Sequence, residues 1–129
     1  FHIARYAVLL CFLGEPEKAM EQIKRAMRID PFCSDLVLET EGLCHFVSGD
    51  FESAIASFKK MQIETRTSLF YTAASLRKIG KSEDAKKVLK VAQTESGMEN
   101  EKFVSSQLFQ RESDKSSLSG ALEEIQASL

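Results

Sequence analysis

Apolar and polar positions along this chain recur with a helical period. In the stretch from Gly14 to Pro31, Ala19, Ile23, Ala26 and Met27 stand at i, i+4, i+7 and i+8, one face of a helix. Glu15-Pro16 opens that helix, since proline suits the first turn, where its missing N–H has no intrahelical acceptor to lose. Gly14 ends the apolar run before it, and Pro31 stops it. The same order then returns. Gly14, Gly49 and Gly80 are spaced by 35 and 31 residues. Each is followed by alanine (Ala19, Ala54, Ala85), then a large apolar residue (Ile23, Phe58, Leu89), then Ala26, Met61 or Ala92. Such a period is the signature of a helical array, in which one helix pair cannot bury its face alone and stacks on its neighbours.

The pattern predicts three helix pairs, within 1–31, 35–65 and 66–97, and a C-terminal segment over 98–129. The first pair is the run up to Leu13 and Glu15 to Ile29. The second is Leu36 to Ser48 and Phe51 to Ile63, with Ser34 or Asp35 and then Asp50 as N-caps. The third is Arg66 to Ile79 and Ser82 to Thr94, with Ser82 as cap. After Gly97 the phase is lost. Glu99 to Gln107 reads as a short helix and the serine-rich Arg111 to Ser117 as a loop. Leu118, Leu122, Ile125 and Leu129 then form an amphipathic stripe. Two readings of that stripe stand: a capping helix over the last pair, or a docking or self-association helix. No stretch alternates as a strand would.

Composition narrows this picture. The chain has 129 residues, 43% of them hydrophobic, with only 2 prolines, which suits one folded helical unit. A net charge of −2 gives no overall attraction to nucleic acid or to an anionic membrane. Three cysteines without a CxxC do not make a disulfide framework, and a reduced, cytoplasmic setting is expected. The apolar run Tyr6–Leu13 is far shorter than the roughly 20 residues that span a bilayer, and it lacks the basic lead-in and cleavage pattern expected of a signal peptide. The chain opens on Phe1 in what reads as mid-helix, so a piece of a longer protein is expected.

The Gly-x4-Ala-x3-large-x2-small-x4-Pro spacing of Gly14–Pro31 resembles the tetratricopeptide repeat. The small first-helix residue of that motif is Gly42 in the second pair and Ala73 in the third. Its aromatic slot holds His45 and Leu76, and its closing proline slot holds Arg66 and Gly97. A narrower resemblance rests on RIDPFCSDLVLETEGLCHFVSGDFESAIASFKKM, SLFYTAASLRKIGKSEDAKKVLK and KFVSSQLFQRESDKSSLSGALEEIQASL, which look like the C-terminal region of bacterial adenylate-cyclase-type signalling proteins. There a cyclase or a DNA-binding domain precedes the repeats. The resemblance implies an all-α fold, a right-handed α-α superhelix of three pairs plus C-terminal capping helices. It implies no cyclase activity for this chain, which has no counterpart of the metal-binding aspartates or purine-selecting residues.

By that geometry the first helices line a concave face: Phe1, Ala4, Val8 and Phe12, then Leu36, Glu39, Leu43 and Phe46, then Phe70, Ala74, Arg77 and Lys78. Phe12, Leu36, Glu39, Leu43, Phe46, Phe70, Arg77 and Lys78 are the candidate partner-binding groove. Leu118, Leu122, Ile125 and Leu129 are the candidate docking helix. The slots that hold Lys and Asn in repeats that clamp a peptide carboxylate are Ala4, Val8, Glu39 and Leu43 here, so that mode is not expected.

Chemistry is sparse. Cys44 and His45 are helix neighbours that point about 100° apart and do not meet. Cys33, Cys44 and His45 lack the paired spacing of a zinc site. Asp35, Glu39 and Glu41 read as a solvated acidic face. Gly80-Lys81-Ser82 lacks the upstream glycine and strand of a phosphate loop. Seven basic residues between Arg66 and Lys90 outnumber Glu83 and Asp84, but no aromatic platform interleaves them, which argues against nucleic acid. No catalytic, metal or cofactor residue is assigned. The expected function is a non-catalytic module that binds a peptide, a helix or a neighbouring domain in an apolar groove. A chaperone-like repeat protein holding a secreted substrate is the alternative, and a homodimer is a further candidate partnership.

Overall fold

The protein is all-α in a computed structural model that describes residues 2–32 and 34–129. Among the described residues there are eight helices and no strand: α1 (His2–Phe12), α2 (Pro16–Ile29), α3 (Asp35–Ser48), α4 (Phe51–Lys59), α5 (Arg66–Lys78), α6 (Ser82–Ser96), α7 (Asn100–Ser106) and α8 (Glu112–Ala127). No helix among them is long and apolar enough to cross a membrane. Helices α1 and α2, α3 and α4, and α5 and α6 pack as pairs, and α2 on α3 and α4 on α5 join one pair to the next. The first helices also touch in a row, α1 on α3 and α3 on α5.

One backbone clasp makes all three within-pair turns. Gly14, Gly49 and Gly80 take φ of 78°, 84° and 84°, a left-handed conformation that a side chain would strain. Each glycine N–H bonds back to Cys11, Phe46 or Arg77 at 3.0, 3.0 and 3.1 Å. Each following N–H, of Glu15, Asp50 and Lys81, bonds to Leu10, His45 and Leu76 at 2.9 Å. These two crossed bonds satisfy carbonyls that a helix end otherwise leaves open. The recurrent glycine of the sequence is therefore one device used three times. The alanines after it, Ala19, Ala54 and Ala85, are fully buried, as are Ile23 and Leu89, with Phe58 nearly so.

Several boundaries differ from the sequence reading. Helix α4 ends at Lys59, not Ile63, because the Asp35 carboxylate accepts from the N–H groups of Gln62 and Ile63, both at 3.0 Å. Ser82 does not cap α6: the cap position is Lys81, with no side-chain bond. Asp50 does cap α4, accepting from Ser53 N–H at 3.3 Å, and Pro16 opens α2. Ser34 is the cap position of α3 without a side-chain bond. The stretch from Arg111 to Ser117 is not a loop, for α8 starts at Glu112. There Arg111 donates to both Asp114 oxygens at 2.8 and 3.1 Å, and Asp114 is buried.

Helices α3 and α4 approach closely only because position 42 has no side chain. A Cβ at Gly42 would overlap the Phe58 ring, which is itself buried and stacked on Tyr71. Gly42→Ala is expected to cost about 1–2 kcal/mol net, overpacking outweighing the better helix propensity of alanine. Urea denaturation measures it; an unchanged midpoint would show that the α3–α4 separation adjusts freely.

Candidate functional site

The expected groove residues lie on the first helices, and the chain's own C-terminal segment contacts three of them, Phe12, Phe70 and Arg77. Phe70 is fully buried, its ring stacked on Phe103 of α7 at a centroid distance of 4.2 Å. Phe46 is buried edge-on to Tyr71 at 5.1 Å and to Phe51 at 5.3 Å. Leu43 is buried in the same core, and Leu36 and Glu39 are half-buried. Phe12 is half-buried against Phe109 at 5.0 Å, edge-on. Beside it the Gln110 N–H donates to the Phe12 carbonyl at 2.8 Å, satisfying a C-terminal carbonyl of α1. Phe1 and Cys33 lie outside the described residues.

The basic end of the expected groove is engaged as well. Arg77 pairs with Glu124 of α8 at 2.6 Å, and the Lys78 ammonium lies 5.8 Å from the Phe51 ring centre. Of the candidate docking helix, Leu118, Leu122 and Ile125 are buried in contacts that α8 makes with α5, α6 and α7, with Ala121 alongside. Leu129 lies beyond the end of α8 and is exposed. The stripe therefore belongs to the core as far as Ile125.

The residue that organises this closure is Tyr71, which the sequence reading passed over. It is fully buried, and its ring meets Phe46, Phe58 and Phe103. Its hydroxyl donates to Gln107 Oε1 at 2.8 Å. Burial holds its pKa well above the ordinary tyrosine value, so the phenol stays neutral and keeps its donor. The signal that could have found it is the charge-free run Thr67–Leu76. A helix uncharged on every side is surrounded by protein, and Ser68 to Leu76 are buried apart from Thr72.

The acidic residues of α3 are not a solvated face. Asp35 holds the loop after α4, as described, and Glu41 accepts from the Ser57 hydroxyl of α4 at 2.8 Å. Glu39 accepts from the Thr65 hydroxyl. Thr65 in turn caps α5, accepting from Ser68 N–H at 3.0 Å. Burial raises the Glu39 pKa, with the Asp35 charge adding to it and the Thr65 hydrogen bond opposing it. Cys11 and Cys44 are buried free thiols. Cys44 donates to the Pro16 carbonyl at 3.0 Å, and a hydrogen bond to Cys44 together with burial holds Cys11 far above the usual thiol range. Among the described residues no three His, Cys, Asp or Glu side chains gather as a metal site would require. A depression of about 710 Å³ lies open between α6, α7 and α8, lined by Gln93, Asn100, Glu101, Glu123 and Gln126 among others. Comparison with protein-family models, with curated proteins and with solved structures gave no match.

Two outcomes follow from these contacts. Phe103→Ala removes the ring that stacks on Phe70 and is expected to cost about 3–5 kcal/mol in urea denaturation; a loss under about 1 kcal/mol would mean that the segment rests only loosely on α5. For Glu39, a native pKa raised above the unfolded value means that the folded state binds the extra proton. Stability then falls as pH rises from the ordinary carboxylate range through that raised value. Glu39→Gln keeps an acceptor for Thr65 and removes the burial of charge. The variant should match or exceed the parent in thermal midpoint at neutral pH, and its advantage should vanish in acid. A deficit that grows toward neutral pH would contradict the assigned cause.

Proposed function

We propose that this chain is a non-catalytic protein–protein interaction module, a tetratricopeptide-like right-handed superhelix that serves as the repeat region of a larger bacterial adenylate-cyclase-type signalling protein. The observation that carries the reading is the threefold recurrence of one helix pair with one backbone clasp and one set of buried slots. Successive identical pairs make an extended stack whose faces and ends are contact surfaces. The resemblance of the SLFYTAASL and FVSSQLF segments to cyclase-type proteins supports the larger setting.

The position of the C-terminal segment refines where a partner binds. Phe103 and Phe109 occupy the inner side of the first helices, so a partner meets either that filled face or another surface of the stack. The filling also weighs against a chaperone-like role, which requires an open groove for its substrate. The ion pair of Arg77 with Glu124 already engages the cation expected to attract an acidic partner.

The test has two arms. Given ATP and Mg²⁺, these 129 residues alone should form no cyclic AMP. Isothermal titration with the remainder of the gene product should give saturable binding. Cyclic AMP formed by the chain itself, or no heat of binding at any ratio, would overturn the reading.

A further inference from the structure

The two ends of the stack differ. At the α6 end, α8 covers the last pair, and Gln93 of α6 donates to Asn100 and to Gln126 at 3.0 and 2.8 Å, a closed polar finish. At the α1 end, Tyr6, Leu9 and Leu13 stand 51%, 54% and 45% exposed on one helical face. Solenoid ends need polar outer faces, and this one is apolar.

The repeat register says what belongs there. Stepping by 35 and then 31 residues, Leu9 corresponds to Cys44 and Ser75, both fully buried. His2 corresponds to Val37 and Ser68, and Arg5 to Thr40 and Tyr71; those four are buried, while His2 and Arg5 are exposed. In the inner pairs the second helix of the preceding pair touches two of these positions. Cys44 of α3 bonds the Pro16 carbonyl at the start of α2, and Tyr71 of α5 packs on Phe58, seven residues into the α4 pair position that begins at Phe51. Leu9 and Arg5 of α1 thus stand where these two contacts are made, while Tyr6 corresponds to the half-buried Glu41 and Thr72, and Leu13 to the exposed Ser48 and half-buried Ile79.

We propose that the His2–Arg5–Tyr6–Leu9 face of α1, with Leu13 just beyond its end, is the seat of an amphipathic helix of the α2/α4 kind, from a helix pair that precedes α1 in the same polypeptide. Its first turn lies over Leu9, and an apolar residue two turns later lies over Arg5 and Tyr6, so it runs antiparallel to α1 as the Cys44 and Tyr71 contacts dictate. A second copy of this chain does not supply such a helix, because α2, α4 and α6 are already engaged by α3, α5 and α8. This inference rests on reading the chain as a repeat-type interaction module.

The test uses Leu9→Cys in a Cys33→Ser background, with Tyr6→Cys as a second reporter and circular dichroism to verify folding. A maleimide probe should label the introduced thiol readily in the 129-residue chain and at least about tenfold more slowly in the complete gene product, where cover replaces solvent. A bifunctional crosslinker from that thiol should reach a segment N-terminal to Phe1. Equal labelling in both proteins overturns the proposal, as does a crosslink to any other segment. Protection in the 129-residue chain itself, with a dimer in sedimentation that Leu9→Glu dissociates, overturns it in favour of a second copy. Equal labelling alongside saturable calorimetric binding would reject this seat and leave the interaction-module reading standing.

Discussion

The Tyr71 side chain holds three parts of the protein in one contact set. Its ring is flanked by Phe46 of α3, Phe58 of α4 and Phe103 of α7, and its hydroxyl reaches Gln107 beyond α7. Aromatic pairs in offset or edge-on geometry add about 0.5–1.5 kcal/mol each beyond area burial. A buried hydroxyl without a partner costs about 1–3 kcal/mol, so Gln107 is as necessary as the rings. Remove Tyr71 and the second pair, the third pair and the returning segment lose their common neighbour. The ring contact of Phe12 with Phe109 and the Gln110 bond to the Phe12 carbonyl then secure the same segment against the first pair.

Around that node the fold economises on devices. The glycine clasp turns each pair, and the buried alanine after it lets the two helices approach. The other ties are individual. Asp35, Glu39 and Glu41 tie α3 to the α4 helix, to the loop that follows it and to the cap of α5. A carboxylate that accepts two backbone N–H groups, as Asp35 does, forms charge-assisted bonds and fixes where the helix stops. The raised pKa of Glu39 shows the cost of such a tie when the carboxylate is drawn out of water.

The elements were legible where they depend on local rules. Gly14, Gly49 and Gly80, with the alanines five residues on, mark every pair because the clasp needs a left-handed residue at one fixed place. Pro16 and Asp50 mark helix starts for equally local reasons. The acidic ties were not legible, because Gln62 and Ile63 reveal nothing in sequence of the Asp35 carboxylate far upstream. The start of α8 was hidden for a similar reason: serines at 113, 116 and 117 signal a loop, but the Arg111–Asp114 pair and the burial of Leu118 override propensity. The expected groove residues were found as a row on the first helices. Their cover was missed because Phe103 and Phe109 stand in segments with no repeat phase, and only the charge-free run of α5 hinted that its far side was also enclosed.

The filled inner face sets an energetic order among the surfaces of this protein. A ligand that takes the place of Phe103 must first expose a fully buried aromatic side chain, at about 1.5–3 kcal/mol, which weakens its apparent affinity roughly 10- to 100-fold. It would also give up the Tyr71–Gln107 bond and disturb the segment that pairs with Arg77. The α1 face imposes no such cost, because Tyr6 and Leu9 are already in water and gain from any apolar cover. Of two surfaces with similar chemistry, the one that requires no displacement binds first. On this ordering the inner face is the protein's own core, and the α1 end is the surface that costs least to cover.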